Sequence, residues 1–399
     1  MGRVLSHHGG TAPVVLSYGM GADSTAILLR WIEEPGCRDF DLSDLVVVTA
    51  QLGSEFARTY DLVERHVLPR LSAAGIRYVQ VCRGGPRELD GVVVLADTDS
   101  PERLVRTGPW TLANELVTAG TVPQVATGRR LCTHKHKGWV LDRAIADVTK
   151  CGAYRHVIGF NADEERRAER DGNYTSATRF AEYPLIEWGW GRSKLEAWLE
   201  GLLGERWPKS CCGFCPFAAC AGGRDEHLAR WAKEPERGVE ALLIEHTSLA
   251  LNPHMSLYGS RRAVDLARGE GLDEVVGRFE SAVANSEHAL YRVRRVWSAK
   301  RDRRSGLVDE SRKGVGWRSV EVIATGTLDD MVARIGAEAG GIAAEVDDKF
   351  HRVWRRRASP DRWPTAEEVL VVAPSGVAEK KRPGFEALWA QTVYHERLF

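Results

Sequence analysis

The apolar pattern begins with Val14-Val15-Leu16, a short continuous run after Pro13, followed by glycines and then by Thr25-Ala26-Ile27-Leu28-Leu29-Arg30-Trp31-Ile32, which has the length and character of a helix. A second buried-strand run, Leu45-Val46-Val47-Val48, precedes a segment from Glu55 to Leu71 whose apolar positions Phe56, Tyr60, Val63, Val67 and Leu71 recur every three to four residues. A third run, Ile76 to Val81, follows Gly75. Strands alternating with helices predict an α/β fold with a doubly wound, mainly parallel sheet of Rossmann type, and such sheets bind ligands at the carboxyl ends of their strands. Between Arg83 and Pro109 the glycines, prolines and Asp97-Thr98-Asp99-Ser100-Pro101-Glu102 predict an excursion over the mouth of the site. The rhythm resumes at Val157-Ile158-Gly159.

Beyond Cys220 the texture changes to arginine-rich segments containing Ala and Glu, without cysteine. This predicts two domains, 1–225 and a mainly helical C-terminal region 226–399, as suits a chain of 399 residues. Tyr291 to Arg304 holds seven basic residues in fourteen with Tyr291 and Trp297 interleaved. It reads equally as a nucleic-acid-binding segment and as an exposed helix whose Val293, Val296 and Trp297 pack inward. Arg352 to Arg357 reads as a helix end with a loop, or as a second basic patch around Trp354.

Composition adds little direction: 55 Lys plus Arg balance 55 Asp plus Glu, so only local patches can select a partner. No run of about 18 apolar residues offers a membrane span, and His7, His8, Gly9 and Gly10 stand where a signal peptide would be apolar, so a cytoplasmic protein is expected. Cys211, Cys212, Cys215 and Cys220 crowd together while Cys37, Cys82, Cys132 and Cys151 are scattered. In a cytosolic chain that clustering reads as metal or redox chemistry, or as buried inert thiols, rather than as a disulfide framework.

The segment Ser17-Tyr18-Gly19-Met20-Gly21-Ala22-Asp23-Ser24-Thr25 sits where strand hands over to helix. Glycines permit close backbone approach, so N–H groups, the helix dipole and the hydroxyls of Ser17, Ser24 and Thr25 can meet a phosphate, while Asp23 can hold Mg²⁺ or cap the helix. A tight turn with a cap is the plainer alternative. No GxxxxGK[ST] is present.

This loop resembles the SGGxDS loop of the PP-loop ATP pyrophosphatases, and further segments in the same order are similar to the PAPS-reductase-like branch, also called adenine nucleotide alpha hydrolase-like. They are Gln51-Leu52-Gly53-Ser54-Glu55-Phe56 (with Gln51 in place of Asp), Arg129-Arg130-Leu131-Cys132-Thr133-His134-Lys135-His136-Lys137 and Gly159-Phe160-Asn161-Ala162-Asp163-Glu164-Glu165-Arg166-Arg167. Tyr183-Pro184-Leu185-Ile186-Glu187-Trp188 and Lys209-Ser210-Cys211-Cys212-Gly213-Phe214-Cys215-Pro216-Phe217 complete the series, which spans residues 13 to 220, and Asn252-Pro253-His254 resembles a later element.

The resemblance implies binding of ATP, or of PAPS or APS, with Mg²⁺, on Ser17, Gly19, Gly21, Asp23, Ser24, Thr25, Gln51, Gly53 and Gly159. Asp23, Arg130, Lys137, Arg167 and Cys132 would serve catalysis, the cations because cleavage between phosphates spreads charge onto oxygens. Cys132, Cys212, Cys215 and Cys220 would hold a four-iron four-sulfur cluster, as in DndC-type DNA phosphorothioation enzymes, or a zinc ion with His134 or His136. Cleavage of ATP between its α- and β-phosphates, adenylation of a substrate and sulfur transfer is then the expected activity, with DNA or tRNA as acceptor and a cysteine desulfurase as sulfur donor. A sulfonucleotide reductase is the second reading, weakened because no cysteine follows Cys220, and a nucleotide-sensing or DNA-binding module with a structural metal is the third.

Overall fold

The computed structural model describes residues 12–126, 129–219, 222–259, 261–302, 304–347 and 350–397. The chain divides into two compact units, Met1–Glu115 with Pro123–Arg230, and Leu116–Val122 with Trp231–Phe399.

In the first unit β1 (Val14–Ser17), β2 (Leu45–Ala50), β3 (Arg77–Arg83), β4 (Val92–Thr98), β7 (Tyr154–Ile158) and β8 (Arg179–Glu182) form one sheet in the order β4-β3-β2-β1-β7-β8. The short strands β5 (Val125–Ala126) and β6 (Arg129–Arg130) pair separately. All neighbours in the large sheet run parallel except β3 and β4. The continuous apolar runs follow from burial of both faces. Val14, Leu16, Leu45 and Val47 pack with Ile27, Leu28 and Leu29 of α1 (Ala22–Glu33), while Val15, Val46, Val48 and Val81 pack with Val140, Ala144 and Ile145 of the helix Trp139–Val148. Each fully buried valine, leucine or isoleucine among them contributes about 1.5–3 kcal/mol. The segment Ala57–Ala73 is helical as expected, with a π-turn over Val63–Val67. The predicted excursion after Arg83 instead contains β4, an antiparallel edge strand whose valines are largely exposed, so they signal no core.

From β1 the chain builds outward through β2 and β3 on one side, then returns with β7 and β8 on the other. The switch between β1 and β7 leaves a crevice at their carboxyl ends, where doubly wound sheets bind ligands.

The second unit corrects the expectation of a mainly helical region. After the helices Pro235–Leu251, Ala263–Gly269 and Asp273–Asn285 comes a five-stranded antiparallel sheet, β10-β9-β13-β12-β11, formed by β9 (His288–Arg301), β10 (Val308–Gly326), β11 (Glu345–Asp347), β12 (Phe350–Arg356) and β13 (Thr365–Pro374). Tyr291–Arg304 is thus mostly strand and Arg352–Arg357 largely so. The physical reason is Arg295. It occupies an inward position in register with Tyr291 and Val293, buried against Glu367 and donating to the Leu251 carbonyl at 2.9 and 3.0 Å. That arginine hides the period of two and leaves Val293, Val296 and Trp297 at helix-like spacing.

Candidate functional site

A cavity of about 760 Å³ lies where the loops after β1 and β7 meet the cysteine segment, within the range of roughly 300–1,000 Å³ usual for small-molecule sites. One wall is the loop Tyr18–Gly21 and the first turn of α1. Tyr18 donates its amide to Val48 at 2.8 Å, its carbonyl accepts from Thr49 Oγ1 at 3.0 Å, and Trp207 Nε1 donates to the Met20 carbonyl at 3.0 Å. The bend is therefore pinned at both ends, with Met20 in the left-handed region at φ 57°. Helix α1 begins at Gly21 without a side-chain cap. Its first-turn amides lack intrahelical acceptors and face the cavity with the positive end of the helix dipole, an arrangement suited to an anion.

Gly159, just after β7, makes the floor. A Cβ there would lie 2.8 Å from the Ser24 nitrogen and 3.2 Å from the Asp23 carbonyl carbon, so only glycine lets β7 approach α1 so closely. Asp23 accepts from Asn161 Nδ2 at 2.7 Å and from Arg192 Nη1 at 2.6 Å. Its carboxylate is thereby neutralised within the protein and clamps the loop to the elements after β7. A cation-binding role for Asp23 requires that pair to open.

Ser17 Oγ lies 2.8 Å from His156 Nε2, and Arg179 Nε donates to His156 Nδ1 at 2.7 Å. Arg179 is held in turn by Asp171 at 2.6 Å, which also accepts from Tyr183. Burial lowers the His156 pKa to about 4, with Arg179 adding to the effect, so the ring is neutral at pH 7. Because Nδ1 must accept from Arg179, the one ring proton sits on Nε2 and is donated to Ser17. Ser17 then has its own hydroxyl proton left to offer to the cavity. The same polarity excludes a serine-nucleophile relay, in which the histidine would accept from serine and a carboxylate would hold its far nitrogen.

Arg130, Lys137, Arg167, Arg192, Arg206 and Lys209 line the cavity. Arg192 is paired with Asp23 and Glu196, and Arg167 with Glu164 while its guanidinium lies 4.6 Å above the Phe160 ring. Arg130 stacks over Phe217 at 4.2 Å. Among the described residues Arg130, Lys137, Arg206 and Lys209 form no ion pair, so the cavity presents cations without fixed carboxylate partners. Glu55, buried, accepts from the Cys211 amide at 2.6 Å and from Ser210 Oγ at 3.0 Å; burial raises its pKa, and Lys137 counteracts this.

The cysteine segment is tied to the loop after β2 by a bridge between Glu55 and Cys212 and by Gly213 donating to Ser54 at 2.9 Å. This brings Cys132, Cys211, Cys212 and Cys215 onto the same cavity as the glycine loop. Burial pushes the thiol pKa of Cys212 and Cys215 upward, and Cys132 adds to the shift at Cys215. They rest as protonated thiols, a state that a bound metal cation would reverse. Among the described residues no three Cys, His, Asp or Glu side chains converge on one point as metal ligands; Cys220 lies outside the described residues. His136, buried with its pKa lowered to about 4, lies outside the cavity lining, as does His134.

Ser17, Gly19, Gly21, Asp23, Ser24, Gln51, Arg130, Cys132, Lys137, Gly159, Arg167, Cys212 and Cys215 are thus brought together. Thr25 and Gly53 are not. Thr25 is fully buried and donates to the Gly21 carbonyl at 2.8 Å, which holds the first helical turn instead of a phosphate. Gly53, at φ 89°, serves a turn packed against Thr111. Gln51 reaches the lining, but its amide is spent on Leu52, Tyr60 and Val105. Sequence reasoning missed Glu55, His156, Arg179 and Arg192 as site residues. Arg192 lies 169 residues from Asp23, and no local pattern announces it.

No family model matches the chain, and no curated protein and no solved structure matches it either. Among the described residues no helix is long and apolar enough to cross a membrane.

Proposed function

We propose that the first unit is a PP-loop-type enzyme that cleaves ATP between its α- and β-phosphates and passes the activated adenylyl group to a substrate destined to receive sulfur. The observation carrying this reading is that an uncapped helix start after a glycine loop, cations that form no ion pair among the described residues, and four thiols share one cavity. In this reading the loop amides and the Ser17 hydroxyl hold the polyphosphate. A substrate oxygen attacks the α-phosphorus, the bond from that phosphorus to the bridging oxygen breaks, and the electron pair leaves on pyrophosphate. Lys137 and Arg130 stabilise the charge that accumulates on the departing oxygens. A sulfur nucleophile then displaces AMP from the adenylated substrate. Cys132, Cys212, Cys215 and Cys220 would hold the iron-sulfur cluster that the sequence resemblance implies, or a zinc ion in its place, and such a group would supply a sulfur-binding Lewis acid.

The test is ATP-dependent pyrophosphate release by the purified chain, measured with DNA, tRNA and small thiol acceptors. Release that falls about 100-fold in Lys137→Met, as expected for loss of one charge-stabilising donor, supports the reading. Absence of release with every acceptor would favour a nucleotide-sensing module.

A further inference from the structure

We propose that the outer part of the β9–β10 hairpin is a docking ribbon for duplex DNA, read through the major groove. The inference rests on residues of the second unit alone and does not depend on the nucleotide cavity.

β13 pairs with β9 only from His288 to Trp297. Beyond that point Ser298–Arg301 and the opposing start of β10 pair as strands with each other, the Glu310 carbonyl also accepting from the Trp363 amide at 2.9 Å, and most of the described residues there are exposed. A two-stranded ribbon without a core is marginal in water, yet this one displays Leu307, Val308 and Val315 at 73%, 51% and 64% exposure.

Its charges are sorted unusually. In the body of the same unit arginines are matched: Arg292 with Glu321 at 3.1 Å, Arg294 with Glu386 at 2.6 Å, Arg295 with Glu367, Arg355 with Glu368 at 3.5 Å and Arg357 with Glu345 at 2.5 Å. On the ribbon Lys300, Arg301, Arg304 and Arg312 form no ion pair among the described residues. The acidic residues there are fewer and hydrogen-bonded locally. Asp302 accepts from the Arg304 and Ser305 amides at 2.9 and 2.7 Å, Asp309 from Ser311, and Glu310 pairs with Arg362 at 3.2 Å. Among the described residues of the ribbon the five cations Lys300, Arg301, Arg304, Arg312 and Lys313 outnumber the three carboxylates, of which Asp309 lies opposite Lys300, and the excess positive charge is open to an anionic partner.

Strand alternation puts Lys300 on one face, and Arg301 with Lys313, which is paired to Ala299, on the other. Lys313 also lies 4.6 Å over the Trp297 ring. A flat anionic surface would engage one face; a groove engages both. The B-form major groove admits a two-stranded ribbon between two phosphate walls, whereas the A-form major groove is too narrow.

The experiment is fluorescence anisotropy of the full chain with a short labelled DNA duplex across a salt series, beside duplex RNA and phosphatidylserine-containing vesicles. Wild type is expected to prefer duplex DNA. The triple variant Lys300→Gln, Arg301→Gln, Arg312→Gln should lose about 100-fold in affinity at 0.1 M salt, and its salt slope should fall by about 0.9 per phosphate contact removed. All three residues are exposed, so an unchanged melting temperature is expected and checks folding. Arg357→Gln, which removes a cation already paired with Glu345, should bind within about threefold of wild type. Equal affinity of the triple variant and wild type, equal loss in Arg357→Gln, or preference for RNA or vesicles would overturn the proposal.

Discussion

Replacing Gly19 with alanine separates what the glycine loop does for the fold from what it does for a ligand. A Cβ at Gly19 meets nothing within 4 Å, and its φ lies outside the left-handed region, so the substitution is sterically free. Removing a glycine from the unfolded ensemble should leave stability unchanged or raise it by about 0.4–1 kcal/mol. If the loop amides hold phosphate, however, the methyl group stands where the ligand must approach. Loss of one amide–phosphate hydrogen bond, about 1.5–3 kcal/mol for a charged acceptor, corresponds to roughly 10- to 150-fold in affinity. Gly159→Ala is the contrasting variant. Its Cβ falls 2.8 Å from a backbone nitrogen that cannot swing away, so both stability and binding should drop, stability by about 1–3 kcal/mol as in other overpacked cores. Thermal unfolding and calorimetric titration with ATP and with inorganic pyrophosphate measure both quantities. Should Gly19→Ala bind either ligand as tightly as wild type, the loop is not the phosphate cradle.

Three further outcomes are expected. Nitrogen-15 spectra should show His156 as the Nε2–H tautomer, and Arg179→Met should weaken pyrophosphate binding by about 10-fold, whereas His156→Gln, which restores a donor toward Ser17, should recover it; an Nδ1–H signal would contradict the assigned polarity. Glu245 is buried and its pKa is raised to about 7 by burial, so the folded state holds its proton more tightly than the unfolded chain does. That stability is complete below the unfolded carboxyl value and is lost as pH rises toward 7, by an amount on the order of 3 kcal/mol; a urea-unfolding series from pH 4 to 8 should show this decline, and Glu245→Gln should flatten it. Anaerobically purified protein should contain iron and labile sulfide in near-equal amounts, both lost in a Cys212→Ser, Cys215→Ser variant, and zinc without sulfide would instead indicate a structural site.

The parallel sheet of the first unit was legible because its strands are continuous apolar runs separated by helices of regular period; Val14–Leu16, Leu45–Val48 and Ile76–Val81 needed no tertiary information to be found. The glycine loop was legible for the same reason, since strand, glycines and helix follow one another directly. The sheet of the second unit was not, because buried arginines satisfied by distant glutamates and carbonyls look like surface charge in one dimension. Sequence determined which residues can cradle an anion or bear a thiol. Folding alone decided that Arg192 reaches Asp23, that Arg179 fixes the proton of His156, that Thr25 turns inward, and that Cys132 and Cys212 open onto one cavity. Hydrogen bonds and ion pairs act over a few ångströms regardless of chain separation, so contacts between residues far apart in sequence leave no periodic trace in it.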